Sequence, residues 1–287
     1  MPRQLLDEAA LAPLQGSWLL QPAFVRRRAV LRETLAAFEA RGPALHAAAA
    51  ANLARWRAAR TEALPVGGVE VVAGDWGEVC ADRTRRYGVR FAVLNMANAF
   101  VPGGGYVEGS PAQEENLFRR SDAHFSVDPA TTRADGERYL SAFSALLEAR
   151  EGRVHLDPAR TLVCVRGAED RSRPDLGYAW LGEDAVFPFV ELRAAAADLR
   201  GGERFDPDDA RRRIRAQFET LRATGERFVV LSAFGCGAFL NPAERVAALY
   251  AEEFARCAAD FALVVFAIHH PGYGPDNFTP FRRAFAG

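Results

Sequence analysis

Apolar residues follow two different rhythms along the chain. Over the first 64 residues they recur at helical spacing, as Val30, Leu31, Leu35 and Phe38 within Arg26 to Ala40, then Leu53 and Trp56 in the alanine-rich run Ala44 to Arg60. Positions three and four apart share one side of a helix, so this spacing predicts two helices, and no strand-like run interrupts them. From there on, short apolar runs of buried-strand type occur at Val69 to Ala73, Phe91 to Asn95, Thr161 to Val165, Val190 to Arg193, Phe228 to Ser232 and Ala262 to Ile268. Helical patterns lie between them at Trp76 to Arg86, Pro111 to Ser121, Arg138 to Arg150, Pro207 to Ala223 and Pro242 to Ala259. Alternation of this kind predicts a layered α/β fold. The expected organisation is an N-terminal helical extension, residues 1–64, packed on an α/β domain, residues 65–287.

Composition narrows the function classes. A chain of 287 residues that is 49% hydrophobic can bury a substantial core in one large domain or two small ones. Its net charge of −1 gives no chain-wide electrostatic grip on nucleic acid, so sequence-specific nucleic-acid binding is not expected and any polyanion must be recognised locally. All 36 basic residues are arginine, which removes lysine from any catalytic role. Cys80, Cys164, Cys236 and Cys257 show neither CxxC nor Cys/His spacing, so neither a disulfide framework nor a metal site is expected. Cys164 in a strand and Cys257 in a helix read as buried thiols. No basic head with an apolar core opens the chain, and no run reaches 18 apolar residues. These features predict a cytoplasmic protein with no membrane association and no cofactor.

The chemistry concentrates after the second strand-like run. Asn95-Met-Ala-Asn98-Ala-Phe-Val-Pro leads into Gly103-Gly104-Gly105, and Gln113-Glu114-Glu115 follows seven residues later. Three glycines remove every Cβ and admit positive φ, so a ligand can touch the main chain and amides can converge on an anion. Ser110-Pro111-Ala112-Gln113 reads as a helix start, with Ser110 as cap, Pro111 in the first helical position and Gln113 closing a capping box. Glu114 and Glu115 then fall in the first turns, facing the glycine loop. Val71-Val-Ala-Gly74-Asp75 leaves two readings open, a ligand-binding Asp75 or an Asp75-Trp-Gly-Glu78 capping box. Tyr273, Asn277 and Phe278 follow the last strand in a Gly/Pro-rich loop, where an aromatic would stack on a base or close the sheet.

On these residues the chain resembles the poly(ADP-ribose) glycohydrolase family, in its compact bacterial type built on a macrodomain. The glycine triplet, the seven-residue spacer and Gln113-Glu114-Glu115 match the family signature. Leu231-Ser232-Ala-Phe-Gly235-Cys236-Gly237-Ala238-Phe239-Leu-Asn241-Pro looks like its diphosphate loop. The resemblance runs from roughly Val66 to Phe285 and implies a mixed sheet flanked by helices. It implies Glu115 as catalytic acid/base and Glu114 as the partner that positions ribose hydroxyls. It implies substrate contacts at Asn98, Gly103, Gly104, Gly105, Gln113 and Ser232, along Gly235 to Phe239, and at Asp75 and Phe278. Phe239 corresponds to the aromatic that orders the terminal ribose. Val190-Glu-Leu-Arg-Ala-Ala-Ala-Ala-Asp198 departs from the family's strand ending in Ala-Ala-Pro-Asn.

The implied reaction is cleavage of the ribose-ribose O-glycosidic bond of poly(ADP-ribose), releasing ADP-ribose from the free end. ADP-ribosylated proteins are the implied partners and the DNA damage response the implied setting. Such a bond breaks through an oxocarbenium-like state, and the departing hydroxyl needs a proton. Glu115 would give that proton and then take one from the attacking water. A helix N-terminus favours the carboxylate and opposes this; burial under substrate, Glu114 and the ligand's diphosphate charge are expected to outweigh it. The alternatives are a macrodomain that only binds ADP-ribose, which has no need of the glutamate pair, and a hydrolase of another O-linked ADP-ribose.

Overall fold

Six strands form one sheet in the order β1-β6-β5-β2-β4-β3 in the computed structural model, which describes residues 2–11, 16–272 and 274–286. They are β1 (Gly68–Ala73), β2 (Phe91–Met96), β3 (His155–Cys164), β4 (Phe187–Ala194), β5 (Phe228–Leu231) and β6 (Leu263–Ile268). Five of them run parallel, and β3 closes one edge antiparallel to β4. The fold is thus the mixed α/β arrangement expected from the sequence. Two strands are longer than expected, β3 and β4, and each contains a proline. Pro188 lies in β4 just before its pairing with β2 begins at Phe189, and Pro158 lies in a register irregularity of the edge strand β3. Both are places where a missing N–H is tolerated.

The helices are α1 (Glu8–Leu11), α2 (Pro22–Ala59), α3 (Trp76–Tyr87), α4 (Gln113–Arg120), α5 (Ser141–Leu147), α6 (Pro207–Thr224), α7 (Ala243–Ala255) and α8 (Phe278–Ala284). The two N-terminal helices predicted by spacing are the halves of α2, joined at a kink where Arg41 leaves helical geometry (φ −144°, ψ 25°) two residues before Pro43. A proline within a helix removes one amide donor and crowds the carbonyl a turn earlier, which accounts for the break. Cys257 falls just past α7 rather than inside a helix, and its thiol is buried there.

Side-chain alternation in the strands divides the core in two. In β2, Ala92 and Leu94 face the layer of α6, α7 and α8, where they share a cluster with Ile214, Phe218 and Tyr250. Phe91 and Val93 face the layer of α2, α3 and α4, with Leu31, Trp76 and Leu117. Helices therefore cover both faces of a largely parallel sheet, the arrangement that lets its strands be apolar on both sides. Because β1, β6, β5, β2 and β4 all point one way, the segments after β1, β2, β4 and β5 emerge along one carboxyl edge. No described helix is long and apolar enough to cross a membrane.

Candidate active site

The segment after β2 doubles back so that α4 lies against the end of that strand, and Gln113 makes the join. Its Oε1 accepts from the Met96 amide at 2.9 Å and its Nε2 donates to the Leu94 carbonyl at 2.8 Å. This corrects the expected helix start. α4 begins at Gln113 after Ala112, with no side-chain cap, and Ser110 and Pro111 stay outside it. The turn closes on itself instead, with the Ser110 and Gly109 amides donating to the Gly105 carbonyl at 3.0 and 3.1 Å. Free backbone groups at the end of β2 are stronger claimants for the Gln113 amide than a cap would be, because unpaired buried peptide groups are costly. Gln113, expected to bind substrate, has both ends of its side chain committed to positioning α4.

With α4 fixed, the two carboxylates reach back onto the main chain. Glu115 Oε1 accepts from the Gly105 amide and Glu114 Oε2 from the Asn98 amide, each at 2.8 Å. Gly104 sits between them at φ +57°, and a Cβ there would lie 2.5 Å from Glu115 Oε1 and 2.9 Å from Glu114 Oε2. Only glycine permits this approach. Gly103, at φ +71°, turns against the rings of Tyr106 and Phe118. Asn98 shapes the loop, since its Oδ1 accepts from the Phe100 and Val101 amides at 2.8 and 2.9 Å.

Both carboxyls are buried, Glu114 at 3% and Glu115 at 8% exposure. Burial raises the proton affinity of Glu115; the Gly105 amide, its own amide and Arg119 pull the other way, Glu108 adds to the push, and the net direction is upward. Burial and the charge of Glu115 hold Glu114 well above the ordinary carboxylate range, against the Asn98 amide. The fold itself therefore outweighs the helix-start effect, because desolvation of a charge is the largest of these contributions. Glu115 Oε2 is buried and has no hydrogen-bond partner among the described residues. Its lone pairs are the free ones of the pair.

Behind Glu114 runs a polar chain that the sequence reading did not single out. The Asn95 side-chain Nδ2 donates to Glu191 Oε1 at 2.6 Å and lies 3.5 Å from Glu114 Oε1. Glu191 in turn is paired with Arg193 at 2.7 Å, and Arg193 also donates to the Tyr139 hydroxyl at 3.0 Å. Register explains the cluster: Val93 is level with Glu191 and Asn95 with Arg193 on neighbouring strands. The signal was available, since opposite charges two apart inside Phe-Pro-Phe-Val-Glu-Leu-Arg-Ala share one face of a buried strand.

Other expected site residues divide into those near this edge and those with structural roles. Asp75 caps α3, accepting from the Gly77 and Glu78 amides at 2.8 and 3.2 Å, and pairs with buried Arg120 at 2.6 Å. The capping reading is the one the structure bears out for it. Ser232 donates its hydroxyl to the Ala267 carbonyl, joining β5 to β6. In the loop after β5, Gly235 takes φ +73° against Ala196 and Asn241, while Gly237 faces open space. The Cys236 side chain turns into the core, so only its main chain is available to a ligand. Ala238 is exposed and Phe239 half-buried. Arg200, paired with Asp198, lies 5.1 Å from the centre of the Phe239 ring. Phe278 opens α8, packs against the core and lies under Arg282; it makes no described contact with the glycine loop. Tyr273 lies outside the described residues. Among the described residues, no group of three or more His, Cys, Asp or Glu is placed to hold a metal ion.

This is a mixed α/β protein whose sheet edge presents a pair of buried carboxyl groups on a glycine cradle. Residues 33–138 match the family described as microbial-type PARG, catalytic domain, PARG being poly(ADP-ribose) glycohydrolase. That match starts inside α2, well before Val66. The solved poly(ADP-ribose) glycohydrolase of Thermomonospora curvata is 24% identical, with 90% of this chain and 99% of that one covered and a TM-score of 0.60. Its complex with the inhibitor ADP-HPD has the same identity and coverage and a TM-score of 0.56. The enzyme of Deinococcus radiodurans in complex with ADP-ribose is 23% identical over 83% of this chain and 90% of that one, with a TM-score of 0.53. No curated protein matches the chain. The chain has the fold of these two glycohydrolases, and residues 33–138 match the microbial-type PARG catalytic-domain family.

Proposed function

We propose that this chain is a poly(ADP-ribose) glycohydrolase, cleaving the ribose-ribose O-glycosidic bond and releasing ADP-ribose, with Glu115 as general acid/base. The observation that carries the reading is the state of the Glu115 carboxyl. One oxygen is held by the Gly105 amide, the other is buried without a partner, and burial favours its protonated form. A carboxylic acid in that state donates its proton to the ribose oxygen that departs as the bond breaks, and the resulting carboxylate then accepts a proton from the water that attacks the sugar carbon. Glu114, fixed by Asn98, positions the ribose hydroxyls beside the bond. The main chain of Gly103 to Gly105 and of Gly235 to Phe239, with Ser232 and Asn98 at the loop ends, lines the nucleotide's path. Contacts at Asp75, just past β1, and at Phe278, at the start of the helix packed on β1, would extend that path for the far end of the nucleotide.

Attack from the polymer's free end is what the resemblance to the compact bacterial type implies. ADP-ribosylated proteins are then its partners and the DNA damage response its setting, and the free, buried cysteines suit a reducing cytoplasm. Residues 1–64 serve as an extension that steadies the catalytic domain, residues 65–287; Thr34 of α2 donates to the Arg119 carbonyl of α4 at 2.8 Å.

The test is Glu115→Gln on automodified polymer, with products resolved by size. The wild type releases ADP-ribose in excess chelator; the variant loses ~10²-fold or more of the rate while still binding ADP-ribose. Retained turnover in the variant removes Glu115 from the chemistry. A wild type that binds ADP-ribose and cuts nothing is a binding module.

A further inference from the structure

Arg3 lies 101 residues upstream of the glycine loop, in a segment outside the family match, yet its side chain is only 8% exposed. Its Nη1 donates to the Gly104 carbonyl at 2.6 Å. Its Nη2 pairs with Glu108 at 2.6 Å and its Nε with Glu137 at 2.8 Å. The segment that carries it is tied down independently: Leu5 packs against the core cluster under α2, and Glu8 pairs with Arg28 at 2.6 Å and Arg32 at 2.7 Å.

The Gly104 carbonyl and the Gly105 amide belong to one peptide unit. Arg3 holds its oxygen, and Glu115 accepts from its N–H at 2.8 Å. A peptide plane between two glycines, the first at φ +57°, has no Cβ to resist rotation. If it turned over, a carbonyl oxygen would replace the N–H that faces the carboxyl. We propose that Arg3 is a positioning residue that locks the Gly104–Gly105 peptide with its N–H toward Glu115, so that the N-terminal strap sets the aim of the catalytic acid. The charge-assisted bond to the carbonyl also polarises the peptide and strengthens the N–H it presents. Neighbouring charges act through the same group: Arg3 offsets Glu108, whose charge pushes Glu115 toward its protonated form. Two acidic partners fix the guanidinium from two sides, an arrangement suited to orientation more than to simple charge balance.

The inference rests on the assignment of Glu115, and its test separates the two. Glycine-labelled protein reports amide exchange at Gly105 and, as a remote reference, at Gly225 beyond α6; Arg3→Ala and Arg3→Lys are compared with the wild type. In Arg3→Ala, Gly105 exchange rises about tenfold or more with Gly225 unchanged, kcat on polymer falls about tenfold or more, and KM stays within about threefold, because the lost interaction orients the acid rather than the substrate. Arg3→Lys, which keeps a donor for the carbonyl, restores most of kcat. Unchanged Gly105 exchange, or equal acceleration at Gly225, overturns the lock. A wild-type rate in Arg3→Ala overturns its positioning role, and a wild type inert on polymer removes the underlying assignment while the exchange comparison still decides the lock.

Discussion

Replacing Gly104 by alanine isolates the part of the site that depends on close approach. The new Cβ would stand 2.5 Å from Glu115 Oε1, and ordinary contact begins near 3.4 Å, so the carboxyl must retreat by roughly 0.9 Å or the loop must open by as much. Misplacement of about 1 Å near reacting atoms costs on the order of 10²-fold in rate. The left-handed backbone adds about 1–2 kcal/mol of strain for any residue with a Cβ. Gly225→Ala supplies the control: it carries the same strain at φ +75°, has nothing within 4 Å of the added carbon, and lies at the far end of α6. Polymer hydrolysis under saturating substrate, with a denaturant midpoint for each variant, separates the two effects. Gly225→Ala loses about 1–2 kcal/mol of stability and Gly104→Ala at least as much; Gly104→Ala alone loses about 10²-fold in kcat. If Gly104→Ala turns over within about threefold of the wild type, the carboxylates do not need this cradle and the geometric case for Glu115 fails.

Three further outcomes follow from the same structure. Glu114 holds its proton well above the ordinary 4.5, so the folded state keeps a proton that the unfolded chain sheds; stability is full below that value and declines as pH rises toward the raised pKa. Glu114→Gln removes its share of this decline, so the difference between thermal melts at pH 5 and pH 7 shrinks while activity drops. Arg193→Met leaves Glu191 buried without its partner and lowers unfolding free energy by about 3–5 kcal/mol in chemical denaturation, whereas the double variant with Glu191→Gln recovers much of that loss. Phe239→Ala, which strips the ring beneath Arg200, raises KM for polymer more than it lowers kcat in steady-state kinetics.

The local elements were legible because their causes are local. Short apolar runs marked all six strands and helical apolar spacing the principal helices, and the Gly103–Gly105 triplet with Glu114 and Glu115 announced a main-chain cradle beside acids. The helix start was misread at Ser110 because a capping motif looks the same whether or not a strand end competes for Gln113. The segment after Arg41 read as a separate helix for a similar reason, since Pro43 signals a break without saying whether the axis continues. Sequence by itself thus determined the kind of layers and the type of chemistry, both of which depend on neighbours a few residues apart. Only the tertiary structure decided that burial raises the proton affinity of Glu115, that Glu191 and Arg193 stand behind Glu114, and that Arg3 grips Gly104. Those contacts join residues as much as a hundred positions apart, and both desolvation and ion pairing depend on distance in space, which spacing along the chain does not encode.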